Sequence, residues 1–215
     1  MESQVRGGTR WKRFAVVMVP SVAATAAIGV ALAQGALAAS FSVSGQEFKV
    51  TADSLTGQGF SQYGAVDSGY DLGGKQMAHP VAVSAFKSAQ ITKMCQSVVT
   101  KVPFIGDVTL RLDAGPDSKH QVEAENLYID VDTLDANATF HDMNIGVAGK
   151  DLQYQKMSPG DLQGSTPKAN PYGFAQEASS AELTNVKQKA WATTAGTFKL
   201  SGLHMALNMG NNECY

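Results

Sequence analysis

Phe48, Val50 and Ala52 alternate with Lys49, Thr51 and Asp53. Val108, Leu110 and Leu112 alternate with Thr109, Arg111 and Asp113, and Leu127, Ile129 and Val131 with Tyr128, Asp130 and Asp132. Successive side chains of a strand point to opposite faces, so each set lays an apolar row on one side of a sheet and a polar row on the other. Helical periodicity is scarce beyond residue 40. The pattern predicts an all-β, mainly antiparallel domain, built as an amphipathic curved sheet or a sandwich-like pair of sheets. The first of these strands is expected to end near the Asp-Ser-Leu of Asp53. A turn is expected at Ala114-Gly115-Pro116-Asp117, where proline fixes one backbone angle and glycine frees the other.

Two internal echoes accompany the alternation. "FKVTADSLTGQG" (48–59) aligns with "LYIDVDTLDANA" (127–138), and "SAQITKM" (88–94) with "SAELTNV" (180–186). Similar strand units recur, although two copies are too few for a solenoid. Between the strands, "MSPGDLQGSTPKANPYGFAQEASSA" (157–181) reads as a long loop of the kind that serves as a lid or a binding loop. The glycine-rich "TGQGFSQYGAVDSGYDLGGKQMAHP" (56–80) reads as a second irregular stretch.

The first 38 residues have a separate character. Arg6, Arg10, Lys12 and Arg13 precede an uncharged run from Phe14 to Ala33, and Ala36-Leu37-Ala38 offers small residues for a leader peptidase. Residues 1–38 are thus an export signal cut after Ala38, or a membrane anchor. The length of the run favours the anchor, while its Pro20, Ser21 and Thr25 favour the leader. In both cases residues 39–215 form a single β-rich domain outside the cytoplasm, in the envelope or beyond it. Without its first 38 residues the chain holds 13 basic and 18 acidic residues, a net charge of −5. That balance supplies no basic patch for nucleic acid. Cys95 and Cys214 are the two cysteines, and an oxidising compartment makes a disulfide between them the simplest reading.

"LYIDVDTLDANATFHD" (127–142) carries four aspartates and raises the question of a cation loop. Counted from Asp130, the sixth position is Asp135, where an EF-hand demands glycine, so the pattern fails. Asp130 and Asp132 are expected to face solvent, and the recurring Asp53 and Asp132 to close turns by accepting backbone N–H groups. No Gly-x-Ser-x-Gly elbow is present: "GFSQYG" spaces Gly59, Ser61 and Gly64 wrongly. His79, His120, His141 and His204 are scattered. The residues therefore nominate no catalytic, metal or cofactor-binding group and no cofactor.

The leader, the segment "MCQSV" with "VTLRLDAG", and "AENLYIDVDTLDANATFHDMNIGV" (124–147) together resemble a family of exported actinobacterial proteins of unknown function, some of which carry the label cholesterol esterase. The resemblance spans most of the chain. It implies a Gram-positive envelope setting and brings no catalytic residues with it. The expected function is non-catalytic, namely binding of a lipid or a membrane-associated protein by an apolar face. The alternative is a lipid-ester hydrolase with an atypical site, which needs a serine hydroxyl within hydrogen-bond reach of a histidine.

Overall fold

The computed structural model describes residues 43–162 and 168–215, together with Met18. Apart from Met18, these fall within one compact unit, Ser40–Tyr215. Residues 1–38, expected to be an export signal or anchor, lie outside the described residues except at Met18, and among the described residues no helix is long and apolar enough to cross a membrane.

Ten strands follow in order: β1 (Val43–Ser44), β2 (Phe48–Tyr70), β3 (Gln76–Thr92), β4 (Met94–Val102), β5 (Gly106–Ala114), β6 (Val122–His141), β7 (Asn144–Ala148), β8 (Phe174–Thr194), β9 (Thr197–Lys199) and β10 (His204–Met209). A 3₁₀ turn (Gly149–Asp151) and a one-turn helix, α1 (Pro159–Leu162), lie between β7 and β8. Every pairing but β1 with β2 is antiparallel.

The expected antiparallel architecture is present, but the long strands close on themselves instead of forming two facing sheets. Crossing partner by partner from Gly64 leads to Ala82, Val131, Ala190 and then Phe48, on the strand where the path began. β2, β3, β6 and β8 thus make a ring, and the displacement from Gly64 to Phe48 is its steep shear. From the start of β2 a second sheet leaves the ring in the order β4, β5, β10. The architecture is a barrel plus a sheet.

Strands this long wrap so small a ring only by bending, and the bends lie in rows. Lys93 (φ +49°) separates β3 from β4 and sits opposite Asp53, since both strands keep one register with β2. Asn185 (φ +53°) faces Asp53 from the other side. The row continues to Gly115 (φ +69°), whose carbonyl accepts the Lys93 N–H at 2.6 Å, and ends beside Gly202 (φ +65°). A second row holds Asp142 (φ +50°), Gly59 (φ +65°) and Asn126 (φ +49°). A left-handed residue inside a strand resets the alternation, so the next inward side chain comes three residues on instead of two. Gly57 and Phe60 across Gly59, Ile91 and Met94 across Lys93, and Leu183 and Val186 across Asn185 accordingly point into the core, and Val50, Ala52, Leu55, Phe86 and Ala89 of the adjoining stretches do so too.

These rows account for two corrections. The strand expected to end near Asp53 continues to Tyr70, and the glycine-rich stretch 56–80 is mostly strand. Its glycines serve the barrel: a Cβ on Gly57 would stand 2.2 Å from the Phe86 ring, and Gly59 supplies a bend. The loop expected over 157–181 gives way at Phe174, where β8 begins.

Candidate functional site

Cys95 and Cys214 form a disulfide with Cα atoms 5.9 Å apart. It fixes the C-terminal tail across one face of the β4–β5–β10 sheet. Cys214 N–H donates to Ser97 Oγ at 3.0 Å, Asn212 N–H donates to Thr109 Oγ1 at 3.0 Å, and Thr109 Oγ1–H donates to the Gly210 carbonyl at 2.6 Å. Lys49 Nζ meets Glu213 at 2.9 Å. Ser97 and Thr109 are buried beneath the tail. Polar residues 95, 97, 109, 111 and 113 face this side, which explains why a polar strip seals it.

The opposite face has no such cover among the described residues. Cross-strand pairing aligns Met205 with Leu112, Leu207 with Leu110 and Met209 with Val108, and then Leu110 with Val98. Leu207 is 72% exposed, Met209 77% and Met205 59%. Beside them, the β4–β5 turn carries Phe104, fully exposed, with Ile105 next to it and Lys101 on its flank. Monomer surfaces seldom leave so continuous an apolar row in water, and such rows mark contact sites.

This face runs into the barrel. Met205 pairs with Leu112, Leu112 with Gln96 and Gln96 with Val50, whose side chain lines the ring's interior. At the mouth, Val50, Met94, Ile129, Val186 and Phe198 border a cavity of about 30 Å³. That volume holds about one water molecule. The ring interior is therefore packed, and the open apolar area lies on the sheet.

A second cluster sits on the outer side of the barrel, under residues 149–162 and 168–169. Tyr63 O–H donates to Asp161 Oδ2 at 2.7 Å and accepts the Ser158 N–H at 2.8 Å. Gln155 donates to the Tyr128 hydroxyl at 2.8 Å, and Lys168 Nζ stands 3.4 Å from Asp67 Oδ1. Glu177 is buried and accepts the Gln153 N–H at 2.6 Å and the Tyr154 N–H at 3.2 Å. Asp67 is buried, and its Oδ2 receives no hydrogen bond from an N–H or hydroxyl donor. The Asp130 carboxyl lies within hydrogen-bond reach of Asp67, and burial first and Asp67 second push its pKa up, to about 8. A proton held on the Asp130 carboxyl, which can then donate towards Asp67, satisfies both observations. Burial also raises the Asp161 and Tyr63 pKa values.

Asp130, expected in solvent, is thus covered, because the segment following β7 folds over its face. Asp53 and Asp132 lie inside β2 and β6 and close no turn. Asp53 meets Lys93 Nζ at 2.7 Å, and Asp132 sits in a register irregularity between Val131 and Thr133. Ser61 is buried with no partner for its Oγ. His79 stacks on Trp191 at 3.7 Å, His120 contacts Asp117, the His141 carbonyl accepts from Ser179, and His204 is exposed on β10. Among the described residues no serine hydroxyl bonds a histidine ring, and no three His, Cys, Asp or Glu side chains are grouped to hold a metal ion.

The apolar face was partly legible beforehand, since Val108, Leu110 and Leu112 alternate visibly. The contribution of β10 was not, because "HMALNM" is too short to display its partner. No curated protein and no solved structure matches the chain. A family model does match it over residues 44–215, nearly the whole described unit, and the chain belongs to that family, the family of unknown function DUF6230.

Proposed function

We propose that this is a lipid-binding protein of the cell envelope, exported by its N-terminal segment, which lays the apolar face of β4, β5 and β10 against acyl chains of the bilayer. The carrying observation is the row Met205, Leu207 and Met209, exposed in register with Val108, Leu110 and Leu112 and ending at Phe104 and Ile105. Full burial of a leucine, methionine or phenylalanine side chain contributes roughly 1.5 to 3 kcal/mol, so a few such residues give substantial affinity for a hydrocarbon phase. The turn's composition supports the orientation: an apolar tip enters the chains while Lys101 remains at headgroup level.

The filled barrel argues for contact along a surface over enclosure of a whole lipid. Replacement of Phe104 by tryptophan tests the reading. On addition of phosphatidylglycerol vesicles, the emission of F104W in excess of the unsubstituted chain shifts to the blue and is quenched by chain-brominated lipid. Emission that neither shifts nor is quenched sinks the proposal.

A further inference from the structure

Three of the strands with free sides are guarded against pairing with another chain. β1 has two residues, β9 has three and carries Lys199, and β7 is interrupted between Ile145 and Val147 at Gly146 (φ +89°). Short length, charge and bulges are the usual devices that keep an edge from recruiting a foreign strand. β10 has none of them. It is the terminal strand of its sheet, six residues long, unbulged against β5, and free of proline and of Lys, Arg, Asp and Glu. The tail that follows turns away over β5 and β4, leaving the outer side of β10 without a partner among the described residues.

We infer that this edge is built to pair with a second copy of itself, antiparallel and centred on Leu207. Directly opposed residues of an antiparallel pair share a face, so this register sets Leu207 against its own copy and Met205 against the second copy's Met209. Ala206 then opposes Asn208 on the other side, and no like charges meet. Registers moved by one residue set an apolar side chain against the polar face and lose this match. The twofold axis stands normal to the sheet and closes the assembly at two copies, without an open ladder. It also leaves both apolar faces on the same side, one continuous surface directed at one bilayer. That last clause rests on the lipid reading; the strand pairing does not.

Disulfide trapping in the full chain tests the register. Leu207→Cys alone is expected to cross-link as a dimer under mild oxidation, or Ala206→Cys mixed with Asn208→Cys is expected to do so, since opposed positions alternate between narrow and wide pairs. Ala206→Cys alone and Asn208→Cys alone give no dimer. The unsubstituted chain gives the background set by Cys95 and Cys214. Leu207→Lys, which opposes two cations on the axis, leaves the monomer folded and abolishes sedimentation as a dimer. Folded variants that stay uncross-linked in both arrangements, or a Leu207→Lys dimer, overturn the inference. The F104W emission reads lipid contact in a monomer or a dimer, so failure of the pairing and failure of the lipid reading are told apart.

Discussion

Asp53 and Lys93 face each other across β2 and the junction of β3 with β4, their charged atoms 2.7 Å apart, at the point where Lys93 takes a left-handed backbone conformation. Both side chains are about 60% exposed, so the ion pair itself contributes little. Its significance is positional, because Asn185 bends β8 on the other side of Asp53 at the same level. Together they mark the line along which the barrel folds over.

The bend predicts an asymmetry between two substitutions at Asn185. Its φ of +53° suits glycine and asparagine and penalises branched side chains. Asn185→Gly is expected to be neutral or slightly stabilising, whereas Asn185→Val destabilises by about 1 to 2 kcal/mol. Urea unfolding of the two variants checks this; equal midpoints contradict a strained position.

These same residues show how far the sequence could be read. The echo of "SAQITKM" by "SAELTNV" marks real equivalence, for Lys93 and Asn185 occupy matching places in it and both are bends flanking Asp53. β2 and β6, which carry the other echo, lie opposite one another in the ring. The alternation stayed visible only between bends. Where a left-handed residue intervenes, apolar positions such as Ile91 and Met94, or Leu183 and Val186, come three apart, and a period-two template reads the interruption as the end of a strand. The carboxyl cluster was illegible for another reason: Asp67, Asp130 and Asp161 come from distant segments, and only the covering segment turns the face of Asp130 from a solvated one into a half-buried one.

The acid pair imposes a pH dependence. The Asp130 pKa lies near 8 in the folded protein and near 4 when unfolded, so folding takes up a proton between those values. Stability is greatest below about pH 4 as far as this group is concerned, falls as the pH rises to about 8, and is level above. Asp161, raised by burial, acts in the same direction. Asp130→Asn keeps an amide donor for Asp67 and removes most of the decline. Urea midpoints at several pH values decide; a midpoint for the unsubstituted chain that climbs from pH 5 to 8 rejects the raised Asp130 pKa.

Loss of the disulfide tests the role of the tail. The bond joins residues separated by 119 positions, and constraining so long a loop corresponds to about 4 to 5 kcal/mol in the chain-entropy model. Cys214→Ser is expected to lower stability by up to that amount and to raise hydrogen exchange at Ser97 and Thr109, which the tail now covers. Unchanged exchange there means that the tail adheres without its covalent tie.

Charged substitutions on the apolar face separate function from folding. Leu207 and Phe104 are exposed, so Leu207→Glu and Phe104→Glu are expected to shift stability by no more than about 0.5 kcal/mol. The proposed lipid contact is expected to weaken strongly in both. Thermal unfolding beside vesicle binding shows the split, and a large loss of stability shows instead that the face is covered in the folded chain.

The most direct test of the proposed lipid contact is photolabelling of the full chain in bilayers containing a phospholipid with a photoreactive group on its acyl chain, followed by mapping of the labelled residues. Label on Phe104, Ile105, Met205, Leu207 and Met209 is the predicted result. Label confined to the Phe14–Ala33 run, with the β4–β5–β10 sheet unmodified, contradicts it.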